Sequence, residues 1–195
     1  MKYYLGRKQN NISKKILTPF KTYKMTEEIK KHVIAILVDN EFGALARIAE
    51  LFSARGYNIE SLTVAPVTQD KKLSRVTVTT FGTDKTVNLI CKLLKRLIPV
   101  HTAAELTKEE GYIERELALV QILGDETKQE KVRDIIEKYK TNIIEITNQS
   151  IVFEIIGNSK TINEVLDKLF EFGVDSISRT GIAAGFKGSK ILGKL

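Results

Sequence analysis

One segment has residue types and spacing suited to small-molecule chemistry. It is Asp39-Asn40-Glu41-Phe42-Gly43-Ala44-Leu45, followed one helix length later by Gly56-Tyr57-Asn58-Ile59. An apolar strand runs into a polar turn, and a glycine opens a helix. That arrangement presents backbone N–H groups at the helix start, where a small anion such as an amino-acid carboxylate binds. Gly43 has no side chain, so a ligand can approach the N–H groups of Ala44 and Leu45. Asn40 has two readings, a helix cap or a ligand contact. Asn58 also has two, a turn residue after Gly56 or a partner for the ligand's ammonium or carboxylate. Leu45 and Ile59 supply an apolar wall, and burying a valine-sized side chain there contributes roughly 1.5–3 kcal/mol. The chemistry is ligand sensing.

Catalysis has little to stand on. His32 and His101 are the only histidines, and each falls in a predicted strand without a second ligand type beside it in sequence. A structural or surface role is the better reading of both, and no metal site is expected. Cys91 sits between Ile90 and Leu94 on an apolar helix face, which predicts a buried, inert thiol. The chain has no Gly-x-Ser-x-Gly, no P-loop and no Rossmann glycine pattern. The run Gly181 to Lys190 is glycine-rich and basic but lacks P-loop spacing. It reads better as a flexible tail that folds against a partner than as a phosphate cradle.

The net charge of +7 suggests nucleic acid until it is located. Residues 1–24 hold seven cations and no acid, so the remaining chain balances 24 basic against 24 acidic residues. A neutral body predicts no nucleic-acid partner. The tail reads as a disordered basic arm, as sequence ahead of a start at Met25, or as a cleaved organellar presequence. The bacterial cytoplasm is the expected location, with a plastid or mitochondrion if the tail is a presequence. A single cysteine fits a reducing compartment, and no apolar run reaches the ~18 residues of a membrane span.

Two halves position these residues, each in the order βαββαβ. In the first, strand 32–38 precedes a helix over 43–55 with Leu45, Ile48, Ala49 and Phe52 on one face, ended by Gly56. Strands follow at 58–67 and 73–81. Thr83 caps a helix with Val87, Ile90, Cys91, Leu94 and Ile98 inward, and 99–106 closes the unit. In the second, strand 116–123 precedes helix 126–140. Strands 142–147 and 150–156 meet at Asn148-Gln149, Thr161-x-x-Glu164 forms a capping box, and 174–182 is the last strand. Lys108-Glu109-Glu110-Gly111 is the linker. The fold is α+β, two tandem ferredoxin-like domains at 32–107 and 112–192 behind a basic extension, 1–31. One sheet face and an edge stay open, which invites dimerisation.

The stretches Asp39 to Arg47 and Leu51 to Ala65, with Arg55-Gly56-Tyr57-Asn58-Ile59-Glu60-Ser61-Leu62 the most specific, closely resemble the small regulatory subunit of acetolactate synthase (acetohydroxyacid synthase). Leu73-Ser74-Arg75-Val76-Thr77, Glu114-Arg115-Glu116-Leu117 and Ser178-Arg179-Thr180-Gly181 fit the same family. The resemblance implies an N-terminal ACT domain and a non-catalytic chain. Such a chain activates a large catalytic subunit and confers feedback inhibition by valine in branched-chain amino-acid synthesis. Thiamine diphosphate, Mg²⁺ and FAD then belong to that partner, and this chain carries no cofactor. The resemblance also implies a homodimer through ACT domains. Valine then lies between Asn40, Gly43, Ala44 and Leu45 of one copy and Asn58 and Ile59 of the other. Phe42 departs from the small residue or proline usual there, and Ala46 from a frequent serine. The rival reading is a free-standing amino-acid-sensing regulator, which would need a DNA-binding element.

Overall fold

The computed structural model describes residues 28–108, 111–139 and 141–193. The basic tail through residue 27 and the Glu109-Glu110 centre of the linker lie outside them. Strand β1, Lys30–Asp39, carries seven consecutive buried residues, His32 to Val38. It sits inside a sheet of order β2-β3-β1-β4, with β2 Ser61–Pro66, β3 Leu73–Gly82 and β4 Val100–Glu105, each pair antiparallel.

Helices α1, Ala44–Ser53, and α2, Asp84–Leu94, cover one face. Ile34, Ile36, Val76 and Val78 of the sheet meet Ile48 and Phe52 of α1 and Ile90 and Leu94 of α2 in one fully buried core. Thr83 caps α2 as expected, its hydroxyl accepting from the Thr86 N–H at 3.3 Å. The helix stops at Leu94, so Ile98 lies beyond it and is exposed; Leu97 packs on the core instead. At the end of α1, Gly56 takes φ 67°. Its N–H donates to Ser53 O and that of Tyr57 to Phe52 O, the paired bonds of a left-handed helix stop.

The second sheet has the order β6-β7-β5-β8, from β5 Tyr112–Leu123, β6 Thr141–Ile146, β7 Ser150–Gly157 and β8 Ser176–Arg179. Helices α3, Glu126–Ile136, and α4, Ser159–Phe170, complete its core through Val132, Ile136, Ile162, Val165 and Leu169. Helix α3 ends short of the expected 140. The capping box at Thr161 and Glu164 does not form: Asn158 is the cap, and its Oδ1 accepts from the Thr161 N–H at 2.8 Å. The helix therefore starts three residues earlier, and Thr161 falls inside its first turn. No helix among the described residues is long and apolar enough to cross a membrane.

The largest departure is at the C-terminal end. The expected strand 174–182 is broken by Gly181, whose φ of 76° turns the chain out of line. Beyond it, β9, Ala183–Phe186, pairs with residues 112–115 of β5, upstream of the part that holds β8. Ala184, Phe186 and Leu192 then pack on Val33, Ala35 and Leu106, on the face of the first sheet opposite its helices. The face expected to stay open is thus covered by the chain itself, and the expected flexible tail is a strap on it.

Candidate functional site

The start of α1 is built as the anion-site reading requires, with one change of role. Gly43 holds φ 81° at the position before the helix, and no side chain caps it. A Cβ built on Gly43 would meet nothing within 4 Å, so the approach is clear. The Ala44 N–H is engaged by Glu41 O at 3.3 Å, and the helical ladder begins with Arg47 N–H to Gly43 O at 3.0 Å. The amides of Leu45 and Ala46 thus lie ahead of the ladder. Leu45 is exposed, while Ala44 is buried.

Asn40 is not the cap. Its Nδ2 donates to Lys71 O at 2.8 Å, and its own N–H donates to Lys72 O at 2.7 Å. These bonds tie the end of β1 to the β2–β3 turn, where Lys71 is in the left-handed region at φ 56°. Short polar side chains bond nearby backbone wherever geometry offers it, and here the partner is 31 residues away. Beside the site, Glu41 pairs with Arg47 at 3.1 Å, and Phe42 is fully exposed.

Asn58 and Ile59 lie elsewhere. The Asn58 Nδ2 donates to Glu60 Oε1 at 2.6 Å, its carbonyl accepts from Thr80 Oγ1, and Ile59 packs partly buried on the first core. A ten-residue helix separates Gly43 from this turn, about 15 Å of rise. Within one chain, one small ligand does not touch both, so the reading in which Asn58 reaches the same ligand requires a second copy. Glu60, which the sequence reading passed over, is the partner that orients Asn58. A carboxylate two residues from a candidate amide was the available signal.

The remaining reactive side chains have structural partners. His32 is fully buried; its Nδ1 bonds the Glu105 carboxylate and its Nε2 donates to Gly82 O at 3.0 Å. Asp84 joins them, bringing three potential ligand atoms within 4.8 Å of one another, a grouping invisible in sequence. Lys30 pairs with Asp84 at 3.0 Å and Lys108 with Glu105 at 3.0 Å, so cations of the chain already balance both carboxylates. His101 is exposed and lies 2.7 Å from Asp39 Oδ1. Burial, with Glu105 nearby, pushes the Cys91 thiol up to about 11, which removes thiolate at neutral pH.

Between the two sheets lies a polar cleft. The buried Glu116 takes a two-pronged contact from Arg179, Nε at 2.8 Å and Nη2 at 2.7 Å, and Arg179 Nη1 reaches Asn163 at 3.0 Å. Lys31 bonds Ser159 Oγ at 3.1 Å, and Thr63 Oγ1 donates to Thr180 O at 3.1 Å. These contacts tie β1 and β2 to the second unit.

Comparison with known proteins decides the family. A profile described as the small subunit of acetolactate synthase matches residues 115–185. One described as the AHAS small subunit-like ACT domain matches residues 34–102. A probable acetolactate synthase small subunit from Archaeoglobus fulgidus is 36% identical over 160 residues, covering 82% of this chain and 99% of that one. The chain belongs to the acetolactate synthase small-subunit family. The isozyme 3 small subunit of Escherichia coli is 35% identical over 163 residues, covering 83% of this chain and 99% of its own. The crystal structure of the small subunit from Thermotoga maritima superposes with a TM-score of 0.74 at 31% identity, over 83% of this chain and 99% of that one. The fold is therefore that of tandem ferredoxin-like units with an ACT domain first. As a small subunit it is a regulatory chain, and its partner is the large catalytic subunit of acetolactate synthase.

Proposed function

We propose that this small subunit activates the thiamine-diphosphate-dependent catalytic subunit and makes it sensitive to valine. Valine bridges two copies of the ACT domain, residues 32–107, while 112–192 form the second domain. Asn40, Gly43, Ala44 and Leu45 come from one copy, Asn58 and Ile59 from the other. The observation that carries this reading is the uncapped start of α1, opened by Gly43 with no atom in the way. A carboxylate suits amides at a helix N-terminus, and the exposed Leu45 suits a short branched side chain. Asn40 serves by holding the turn, and Asn58 offers its amide to the ligand of the neighbouring copy. The separation of the two groups within one chain is why the site needs the dimer. Phe42, fully exposed beside the opening, closes over the ligand when the second copy docks.

Feedback then follows from linkage: valine favours one arrangement of the two chains, and the catalytic partner responds to that arrangement. Coupling of this kind is on the order of 1–3 kcal/mol. The test is the reconstituted holoenzyme with Gly43→Asp, which adds bulk and like charge at the opening. Activation should persist while valine inhibition is lost. Undiminished inhibition by valine would refute the placement.

A further inference from the structure

A cavity of about 440 Å³ lies between the first sheet and the C-terminal strap, lined by none of the six effector residues. Leu37 and Arg75 are direct partners across β1 and β3, so their side chains stand side by side on the sheet face opposite the helices. Val67 joins them where β2 ends, and Phe186, Ile191 and Leu192 form the roof. No described aspartate or glutamate lines the space.

Arg75 is out of place in such a lining. A guanidinium carries five donors, yet Arg75 makes one hydrogen bond, Nη2 to Ala184 O at 2.6 Å. Among the described residues it has no ion-pair partner. Burial draws its pKa down, the direction for a cation losing water without a carboxylate to compensate. A second cation stands on the same wall: Lys190 Nζ lies 4.8 Å from the centre of the Phe186 ring. An apolar chamber with a guanidinium in its floor and no acidic side chain among its described lining residues is complementary to a molecule with a hydrocarbon body and one carboxylate.

We propose that this cavity binds a small aliphatic carboxylate. Its oxygens take the Arg75 donors that Ala184 leaves unused, and its hydrocarbon body packs against Leu37, Phe186 and Leu192. The ligand would fasten the strap to the first sheet. Because the strap continues into β9 and its pairing with β5, the two units would be fastened with it.

The test is ligand-observed NMR and calorimetry on the full chain with 4-methylpentanoate, against 4-methylpentan-1-ol as the uncharged counterpart. The acid should bind and the alcohol should bind at least about tenfold more weakly, the share of one charge-assisted pair. Arg75→Gln should weaken the acid at least about tenfold. Since Arg75 also holds Ala184, a second variant, Val67→Trp, fills the cavity from β2 and should abolish binding with the Arg75 contact intact. Gly43→Asp should leave binding unchanged. No binding of the acid, equal binding of the alcohol, undiminished binding in both cavity variants, or loss only in Gly43→Asp would each overturn the proposal.

Discussion

Replacing Gly43 by alanine separates backbone strain from ligand access. Gly43 has φ 81°, a conformation that costs an L-residue roughly 1–2 kcal/mol. Gly173, after α4 in the second unit, has φ 71° and likewise offers space, its nearest neighbour being Lys128 Nζ at 4.0 Å. The two alanine variants should therefore lose similar stability, a fall in Tm of about 2–8 °C for a chain of this size. Only Gly43 stands at the start of the helix whose Leu45 and Ala46 amides are offered to the ligand. Losing one charge-assisted hydrogen bond there costs roughly 1.5–3 kcal/mol, a tenfold to hundredfold loss of valine affinity. Thermal unfolding of the chain and valine titration of the reconstituted holoenzyme read the two effects. An unchanged valine response in Gly43→Ala would refute the site. An equal change in Gly173→Ala would show that valine sensitivity tracks stability, not access.

Other perturbations test particular contacts. Asn158→Ala should cost about 1 kcal/mol in denaturant unfolding, the worth of a helix cap, whereas Glu164→Ala should change stability by less than about 0.5 kcal/mol. Phe52→Ala, at a side chain 1% exposed, should cost about 3–5 kcal/mol by the same measurement. The Cys91 thiol is held at about 11 against an ordinary 9.0, so the unfolded chain releases this proton first. Its contribution is full at neutral pH and is lost as pH rises from about 9 to about 11; Cys91→Ala should flatten the fall of Tm over that window. Tyr112, pushed up to about 12 by burial and the bond to Glu114, adds the same trend at higher pH. Gly181→Ala would set a Cβ 3.0 Å from Thr63 Oγ1 at a φ of 76°, disturbing the contact of β2 with the second unit. It should leave valine affinity by calorimetry nearly unchanged and weaken valine inhibition of the holoenzyme; parallel loss of both would deny β2 a coupling role.

What was legible in the sequence was what depends on local periodicity. Ile48 and Phe52 at helical spacing, Thr83 ahead of α2 and Asn148-Gln149 between β6 and β7 each specify an element from neighbouring residues. The cap of α4 was misread because Asn158 and Thr161 both suit the role, and three residues separate them. The cap reading of Asn40 failed because its amide's partner, Lys71 O, is fixed by the fold of a distant turn. The strap left a trace that local reading passed over. The unbroken buried run His32–Val38 is the mark of a strand covered on both faces. The two helices supply one of these covers. The second cover lies about 150 residues away as Ala184, Phe186 and Leu192, too sparse to show a period. The grouping of His32 with Asp84 and Glu105 was hidden for the same reason, since β1 and β4 meet only through the sheet order.

The arrangement of β2 explains how an effector at the edge of the ACT domain could be felt in the second unit. Asn58 and Ile59 lead into this strand, and Asn58 is oriented by Glu60. Three residues on, Thr63 donates to Thr180 O, and Ser61 and Thr63 crowd the face of Gly181. If the proposed dimer site forms at Asn58, a shift of that turn reaches, within six residues, the point where the last strand breaks and the strap begins. Strands paired in register move as units, and β2 is paired throughout with β3. Coupling between sites needs an element with two arrangements that both sites bias. As an edge strand, β2 has more freedom to take a second arrangement than β1, which is locked by β3, β4, the helices and the strap together.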